Sequence, residues 1–258
     1  MPAMTRPKLG LIGIIGEEAK QDFWGTMKRV AEIGYKGIEG GGELLKGDIG
    51  ANVARFHDLG LQIATHSVPS KELLRDEKEV DRLIREAHAL QTKDVTFWWD
   101  VVDSREQLLR DAELYDAAGK RFAEEGLRFC YHNHAHEFER TFNGLYALDI
   151  LAEHTDPKHL YFRMDVAWIT IGGADPAHIL RKMSGRVPAI HLKDVYGTDE
   201  IGKWTAVGTG IVNIQESIEA ATEIGVEWMT VEQDKLRNLT GIETALVSYL
   251  NLKEKGLL

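Results

Sequence analysis

The sequence predicts a single (β/α)8 barrel of the α/β class, spanning residues 1–258. Three observations predict it. Strand-like runs and helical patterns alternate from end to end, in units of roughly thirty residues, as parallel strands with crossover helices do. No linker, low-complexity tract or change of composition divides the chain. Residues suited to metals or protons gather at the C-terminal ends of the runs, where barrels of this type place their sites.

The elements follow in order. LGLIGI (9–14) leads to a helical pattern near 20–34, and KGIEG (36–40) to one near 50–59. LQIATHS (61–67) precedes a pattern near 76–90. DVTFWW (94–99) precedes the clearest helix, 105–126, where Leu108, Leu109, Ala112, Leu114, Ala117 and Ala118 form an apolar stripe. LRFCYHN (127–133), LYFRMDV (160–166), VPAIHLK (187–193) and EWMTVEQ (227–233) are followed by patterns near 143–154, 175–184, 212–224 and 240–255. Gly34, Gly60, Gly126 and Gly225 stand where helices stop before strands. The alternative is a doubly wound sheet. It lacks support, because no G-x-G-x-x-G follows the first strand and Gly40-Gly41-Gly42 is a weak phosphate loop.

Composition narrows the function. The formal charge of −10 opposes nucleic-acid binding, which needs clustered Lys and Arg. No apolar stretch approaches the ~18 residues of a membrane helix, so no membrane partner is expected. The N-terminal run reads as a first strand, not a signal peptide. A lone Cys130 cannot form an intrachain disulfide, so the expected compartment is the cytoplasm.

Reading only the C-terminal strand ends gives Glu39, His66, Trp98, Trp99, the run His132 to His134, Asp165, His191, Lys193, Glu232 and Asp234. The other ends give Lys36, Gln62, Asp94, Arg128 and Lys158, an ordinary solvated set. His132, Asp165, His191 and Glu232 form a reasonable ligand set for one divalent cation. Mixed nitrogen and oxygen donors suit Mn²⁺, Co²⁺, Zn²⁺ or Fe²⁺ better than Ca²⁺ or Mg²⁺. Each ligand also has an ordinary reading: Asp165 as a helix cap, His191 as a core histidine, Glu232 as a partner of Lys193. The joint reading is stronger, because a barrel brings all four together.

These residues resemble a known family. YHNHAHEF (131–138) resembles the YHNHxxEF signature of sugar phosphate isomerase/epimerase-like proteins in the xylose isomerase-like barrel superfamily. MDVAWITIGGADP (164–176), RVPAIHLKDV (186–195), AVGTGIVNI (206–214) and EWMTVEQD (227–234) resemble its later blocks. The resemblance implies a divalent ion, Mn²⁺ first and Co²⁺, Zn²⁺, Fe²⁺ or Mg²⁺ as alternatives, held by residues after strands five to eight. By position these are His132, Asp165, His191 and Glu232. Ketose epimerases of the superfamily carry a glutamate after strand five, where this chain has His-Asn-His.

The expected chemistry is removal of a proton next to a sugar carbonyl through a metal-stabilised enediolate. The expected enzyme is an isomerase or epimerase of a keto or aldo sugar. The alternative is a lyase or dehydratase acting by β-elimination on a keto sugar, inosose or 3-keto-glycoside. A non-catalytic supporting subunit and a DNA-repair endonuclease relative are remote readings. His134 and Glu232 are the candidate proton carriers, Lys193 the holder of developing charge, and Glu137 an orienter or relay. Glu39, His66, Trp99, Trp168 and Trp204 are the candidate substrate contacts, the Trp rings because they pack on sugar C–H faces. Gly208 and Gly210 are expected to allow a tight loop near the site. An edge-on dimer is common in similar barrels, so a homo-oligomer is left open.

Overall fold

The computed structural model describes residues 6–198 and 203–258. Its strands are β1 (Lys8–Leu11), β2 (Gly37–Glu39), β3 (Gln62–Val68), β4 (Asp94–Phe97), β5 (Arg128–His132), β6 (Tyr161–Asp165), β7 (Ala189–Leu192), β8 (Asp194–Val195), β9 (Trp204–Thr205) and β10 (Trp228–Val231). β1 to β7 and β10 close a parallel barrel in chain order, with β10 pairing both β7 and β1. β8 and β9 form a separate antiparallel ribbon. The eight expected strands are the eight barrel strands, each shorter than its apolar run except β3, which is as long and shifted by one residue.

The helices form because each presents one apolar stripe to the barrel. The helix Arg105–Glu124 is capped by Ser104, whose hydroxyl accepts from Gln107 N–H. It buries Leu108, Ala112, Tyr115, Ala118 and Phe122. Leu109 and Leu114 are half-buried and Ala117 is exposed, so the buried stripe is rotated from the expected one. The pattern near 20–34 is two helices, Gly16–Gln21 and Phe23–Ile33, divided because Asp22 leaves helical geometry to cap the second. Three short helical turns lie in βα loops that the sequence left without structure: Lys71–Arg75, His136–Glu139 and Val166–Ile171.

The barrel interior is layered. At the floor the Trp228 ring lies where a Cβ on Gly37 would come within 2.8 Å of it, so only glycine leaves room. Above it, Arg163 is fully buried among Glu39 Oε1 at 2.6 Å, Asp94 Oδ2 at 3.0 Å, Thr96 Oγ1 at 3.1 Å and the Ala64 carbonyl at 3.4 Å. The expectation of a solvated N-terminal end therefore fails at Asp94, which is buried between Arg163 and Arg128. Burying charge without a partner is costly, and this arrangement pairs each carboxylate with a guanidinium.

β3 departs from simple alternation. Ile38 pairs with Ile63 but Glu39 with Thr65, so Ala64 is an extra residue. One inserted residue reverses which face the following side chains take. Thr65 turns inward to meet the Thr96 hydroxyl at 2.8 Å. His66 turns away to the helix Glu77–Ala89, its Nε2 lying 2.9 Å from Glu86 Oε2. This corrects the expectation that His66 faces a substrate.

Candidate metal centre

Four strands deliver four potential ligands. His132 ends β5, Asp165 ends β6, His191 lies in β7, and Glu232 follows β10. One ligand atom from each falls within 4.8 Å of the others. His132, Asp165 and His191 are buried, and Glu232 is half-buried. Asp165 caps a helix with one oxygen and leaves the other to the cluster. Oδ1 accepts from Ala167 and Trp168 N–H, each at 2.9 Å, and caps the helix Val166–Ile171. Oδ2 is buried and accepts no hydrogen bond, with Lys193 Nζ 3.1 Å away. His132 Nδ1 is likewise buried without a partner. Buried polar atoms are almost always paired, so an unpaired imidazole nitrogen beside a carboxylate oxygen met only by an ammonium, in one mixed N/O cluster, fits a divalent ion.

The imidazole of His191 is held from both sides. Nδ1 lies 2.8 Å from Glu232 Oε2, and Nε2 lies 3.0 Å from Glu39 Oε2. Burial opposes charge on this ring, but Glu39 and Glu232 overcome it and lift its pKa to about 9. Burial likewise opposes the charge on Glu232, yet Lys193 and His191 hold that carboxyl well below the usual range. Burial, followed by the neighbouring His191 and His134, keeps His132 neutral. Burial raises the Asp165 carboxyl to about 6, against the pull of Lys193.

Glu39 was expected to face substrate. A cavity of about 540 Å³ beside the mouth, lined also by Leu11, Ile15, Phe23 and Ile38, reaches this residue. Its carboxylate is nevertheless fully buried, with one oxygen on Arg163 and the other on His191. The structure places it against His191 Nε2, the kind of contact that a metal-binding histidine usually makes with its free nitrogen.

Lys193 is a buried ammonium encircled by charge. Its Nζ lies 2.9 Å from Asp234 Oδ1 and 3.1 Å from both Asp165 Oδ2 and Glu232 Oε2. Burial opposes its charge, but these three carboxylates raise its pKa. The rings of Trp168 and Trp204 flank it, their centroids 5.2 and 4.9 Å from Nζ. Asp194, next in sequence, holds the loop that carries this wall. Its carboxylate accepts backbone N–H groups from Val195, Gly208, Gly210 and Val212. A Cβ on Gly210 would lie 2.3 Å from Asp194 Oδ1, so the tight loop foreseen at these glycines wraps that carboxylate.

The loop after β5 positions His134. Asn133 Oδ1 accepts from Asp165 N–H at 2.9 Å and ties β5 to β6 at the cluster. Glu137, fully buried, accepts from the His134 backbone N–H at 2.9 Å and from the Tyr131 hydroxyl at 2.7 Å. Of the two expected roles, orienter and relay, this geometry is that of the orienter. The His134 ring lies 5.1 Å from that of His132. Trp98, not Trp99, faces the cluster, with its ring centroid 5.5 Å from His132 and 5.8 Å from His191. Trp99 is 54% exposed and packs on His136. Strand alternation places Trp98 on the same face as Asp94 and Thr96, a signal that the doubled Trp obscured.

Arg163 and Asp194 were not singled out in the sequence, and Asn133 entered only within the His132 to His134 run. Arg163 was legible in principle: it lies two residues before Asp165 and so shares its inward face.

A closed parallel barrel with its polar cluster at the C-terminal strand ends defines the class. The xylose isomerase-like TIM barrel family model matches residues 27–247, and the chain belongs to that family. An inosose dehydratase from Geobacillus thermodenitrificans is 29% identical over 133 residues, 45% of this chain and 44% of that protein. The chain matches about half the length of such curated relatives. The solved structure of a sugar phosphate isomerase/epimerase from Parabacteroides distasonis superposes with a TM-score of 0.81 at 23% identity, covering 98% of this chain and 96% of the other. That of a probable 3-DHS dehydratase from Bacillus anthracis gives 0.78 at 15% identity, covering 95% and 98%. These structural likenesses show the fold. Among the described residues, no helix is long and apolar enough to cross a membrane.

Proposed function

We propose that the protein is a divalent-metal-dependent enzyme that removes the proton next to the carbonyl of a keto sugar or ketocyclitol, with β-elimination as the outcome. The observation that carries the reading is the buried cluster of His132, Asp165, His191 and Glu232, in which His132 Nδ1 has no partner and Asp165 Oδ2 has only the Lys193 ammonium. A divalent cation held there would polarise a substrate carbonyl and stabilise the charge growing on its oxygen. Mn²⁺ is our first choice for that cation.

The residues around it have distinct tasks. Glu232, anionic at neutral pH, takes the proton from carbon. Lys193, charged and walled by Trp168 and Trp204, steadies developing negative charge. His134, whose pKa burial pulls down to about 4, is a neutral imidazole able to accept a proton. In elimination the C–H and the β C–O bonds break, a C=C bond forms, and the proton leaves with the oxygen as water or an alcohol. One base that takes the proton and returns it to the departing oxygen suffices. Epimerisation needs a second group to reprotonate the opposite face, and strand five supplies imidazoles here instead of the carboxylate of ketose epimerases. The names of the curated relatives point the same way, as inosose dehydratases.

Isomerisation or epimerisation is the second reading, favoured by the placement of His134 and Glu232 on strands three apart around the barrel. Product mass separates the two. With the Mn²⁺-loaded protein and a panel of an inosose, 3-keto-glycosides and ketoses, a product lighter by water or an alcohol supports elimination. A product of unchanged mass supports the second reading. If no ketone of the panel is converted and none exchanges its α-hydrogen with solvent, both fail. His134→Ala and Lys193→Met are expected to keep the metal and lose roughly 10²–10⁴-fold in turnover.

A further inference from the structure

Among the buried polar atoms without hydrogen-bond partners, two lie on aromatic rings beside the cluster and outside the four ligands: Trp168 Nε1 and His134 Nδ1. Their rings lie side by side, with centroids 5.2 Å apart and planes tilted by 44°. Trp168 is 8% exposed, and its indole N–H is a donor with no acceptor capacity, so no metal ion can satisfy it. The ring is also fixed. Its backbone N–H is bound to Asp165 Oδ1, and Trp204 packs edge-on against it at 4.8 Å. The His134 main chain is held in turn by Glu137, which accepts its backbone N–H, and its ring lies between those of His132 and Trp168, with centroids 5.1 and 5.2 Å away. A buried donor that is held still and left unpaired is an energetic cost to the fold, and such costs are retained where a ligand removes them.

We propose that Trp168 Nε1 and His134 Nδ1 form a hydroxyl-binding subsite, which takes a substrate oxygen other than those at the metal. A hydroxyl fits because its oxygen accepts from the indole N–H while its own hydrogen can serve the imidazole nitrogen. Trp168 is then a specificity residue, selecting polyhydroxylated ketones over simple hydroxy ketones. The inference rests on the keto sugar or ketocyclitol reading and sharpens it: the substrate carries a free hydroxyl beyond the carbonyl and its neighbour. The Trp168 ring lies 5.2 Å from Lys193 Nζ and one helical turn from Asp165, which puts the subsite beside the cluster.

The test uses the full chain loaded with diamagnetic Mg²⁺ and two probes. One is an inosose. The other is hydroxycyclohexanone, which keeps the ketone and its neighbouring hydroxyl and nothing more. The Trp168 indole resonance is identified in a proton–nitrogen spectrum by its loss in Trp168→Phe. It should move on addition of the inosose and stay in place with hydroxycyclohexanone. Trp168→Phe keeps an aromatic ring, so it should weaken inosose binding by about 3–10-fold, the worth of a neutral hydrogen bond. It should leave hydroxycyclohexanone binding and Mg²⁺ affinity unchanged. If the inosose binds and the resonance stays fixed, or Trp168→Phe binds it as the parent does, the N–H meets only water and the subsite is overturned. If Trp168→Phe weakens both ketones equally, the residue acts by packing, and the proposal is again wrong. If neither ketone binds the metal-loaded parent, the substrate reading itself fails and the subsite falls with it.

Discussion

Glu39 Oε2 lies 3.0 Å from His191 Nε2, on the opposite edge of the imidazole from Glu232. Glu39 comes from the second strand and His191 from the seventh, so the contact crosses the barrel interior. It fixes Nδ1 as the nitrogen that faces the cluster. Glu39→Gln should therefore keep the fold and weaken Mn²⁺ binding by ~10–100-fold, as loss of such a support commonly does. Titration calorimetry with Mn²⁺ on the two proteins measures it. Equal affinities would show that Glu39 only balances Arg163.

Metal binding should release a proton in a defined pH range. The His191 imidazole, lifted to about 9 by Glu39 and Glu232 against burial, is charged in the metal-free protein at neutral pH. A ligand must be neutral, so the ion displaces that proton. Apparent affinity should rise with pH up to about 9 and level off above it. Below about 6 the dependence should steepen as Asp165, raised by burial, also takes up a proton. Calorimetry in buffers of different ionisation enthalpy counts the protons. For stability of the metal-free protein the sign is opposite. A raised histidine pKa contributes stability below its unfolded value of ~6.5. That contribution is lost as pH rises through about 9.

Arg163→Met should cost stability more than any loop substitution at the mouth. It leaves the carboxylates of Glu39 and Asp94 in the barrel without their shared guanidinium. Breaking such a buried pair by removing one partner costs about 3–5 kcal/mol. Urea unfolding of the metal-free protein reads this directly. A loss under about 1 kcal/mol would mean that water or Arg128 replaces the contact.

Trp98 and Trp99 should differ sharply despite adjacency. Trp98→Ala removes the ring that packs on His132 and His191 and should lower kcat/KM. Trp99→Ala removes a half-exposed ring that touches His136 and should leave it near the parent value. His66→Gln should lower the melting temperature with turnover retained, because its contact is Glu86 on the outer helix. A fall in KM-limited rate for His66→Gln would place that ring in the site after all.

The sequence made the barrel legible because hydrophobic runs and helical stripes repeat at one period, and each of the eight runs became a barrel strand. The cluster was legible because His132, Asp165 and His191 interrupt apolar runs that burial otherwise explains. His66 was misplaced because the extra residue at Ala64 reverses facing, and nothing in LQIATHS marks a bulge. Glu39 was misplaced because its partner Arg163 is distant in sequence and meets it only across the closed barrel. The part played by Asp194 was hidden for a related reason: its four backbone partners come from residues 195–212, and no side-chain pattern records a carboxylate that binds main chain.

The most direct test is the metal content of the protein and its Asp165→Ala and His191→Ala variants, each loaded with Mn²⁺ and desalted before elemental analysis. The cluster of His132, Asp165, His191 and Glu232 predicts one bound ion per chain in the parent and close to none in either variant, with circular dichroism showing both still folded. Undiminished metal in the two folded variants would contradict the assignment of the site.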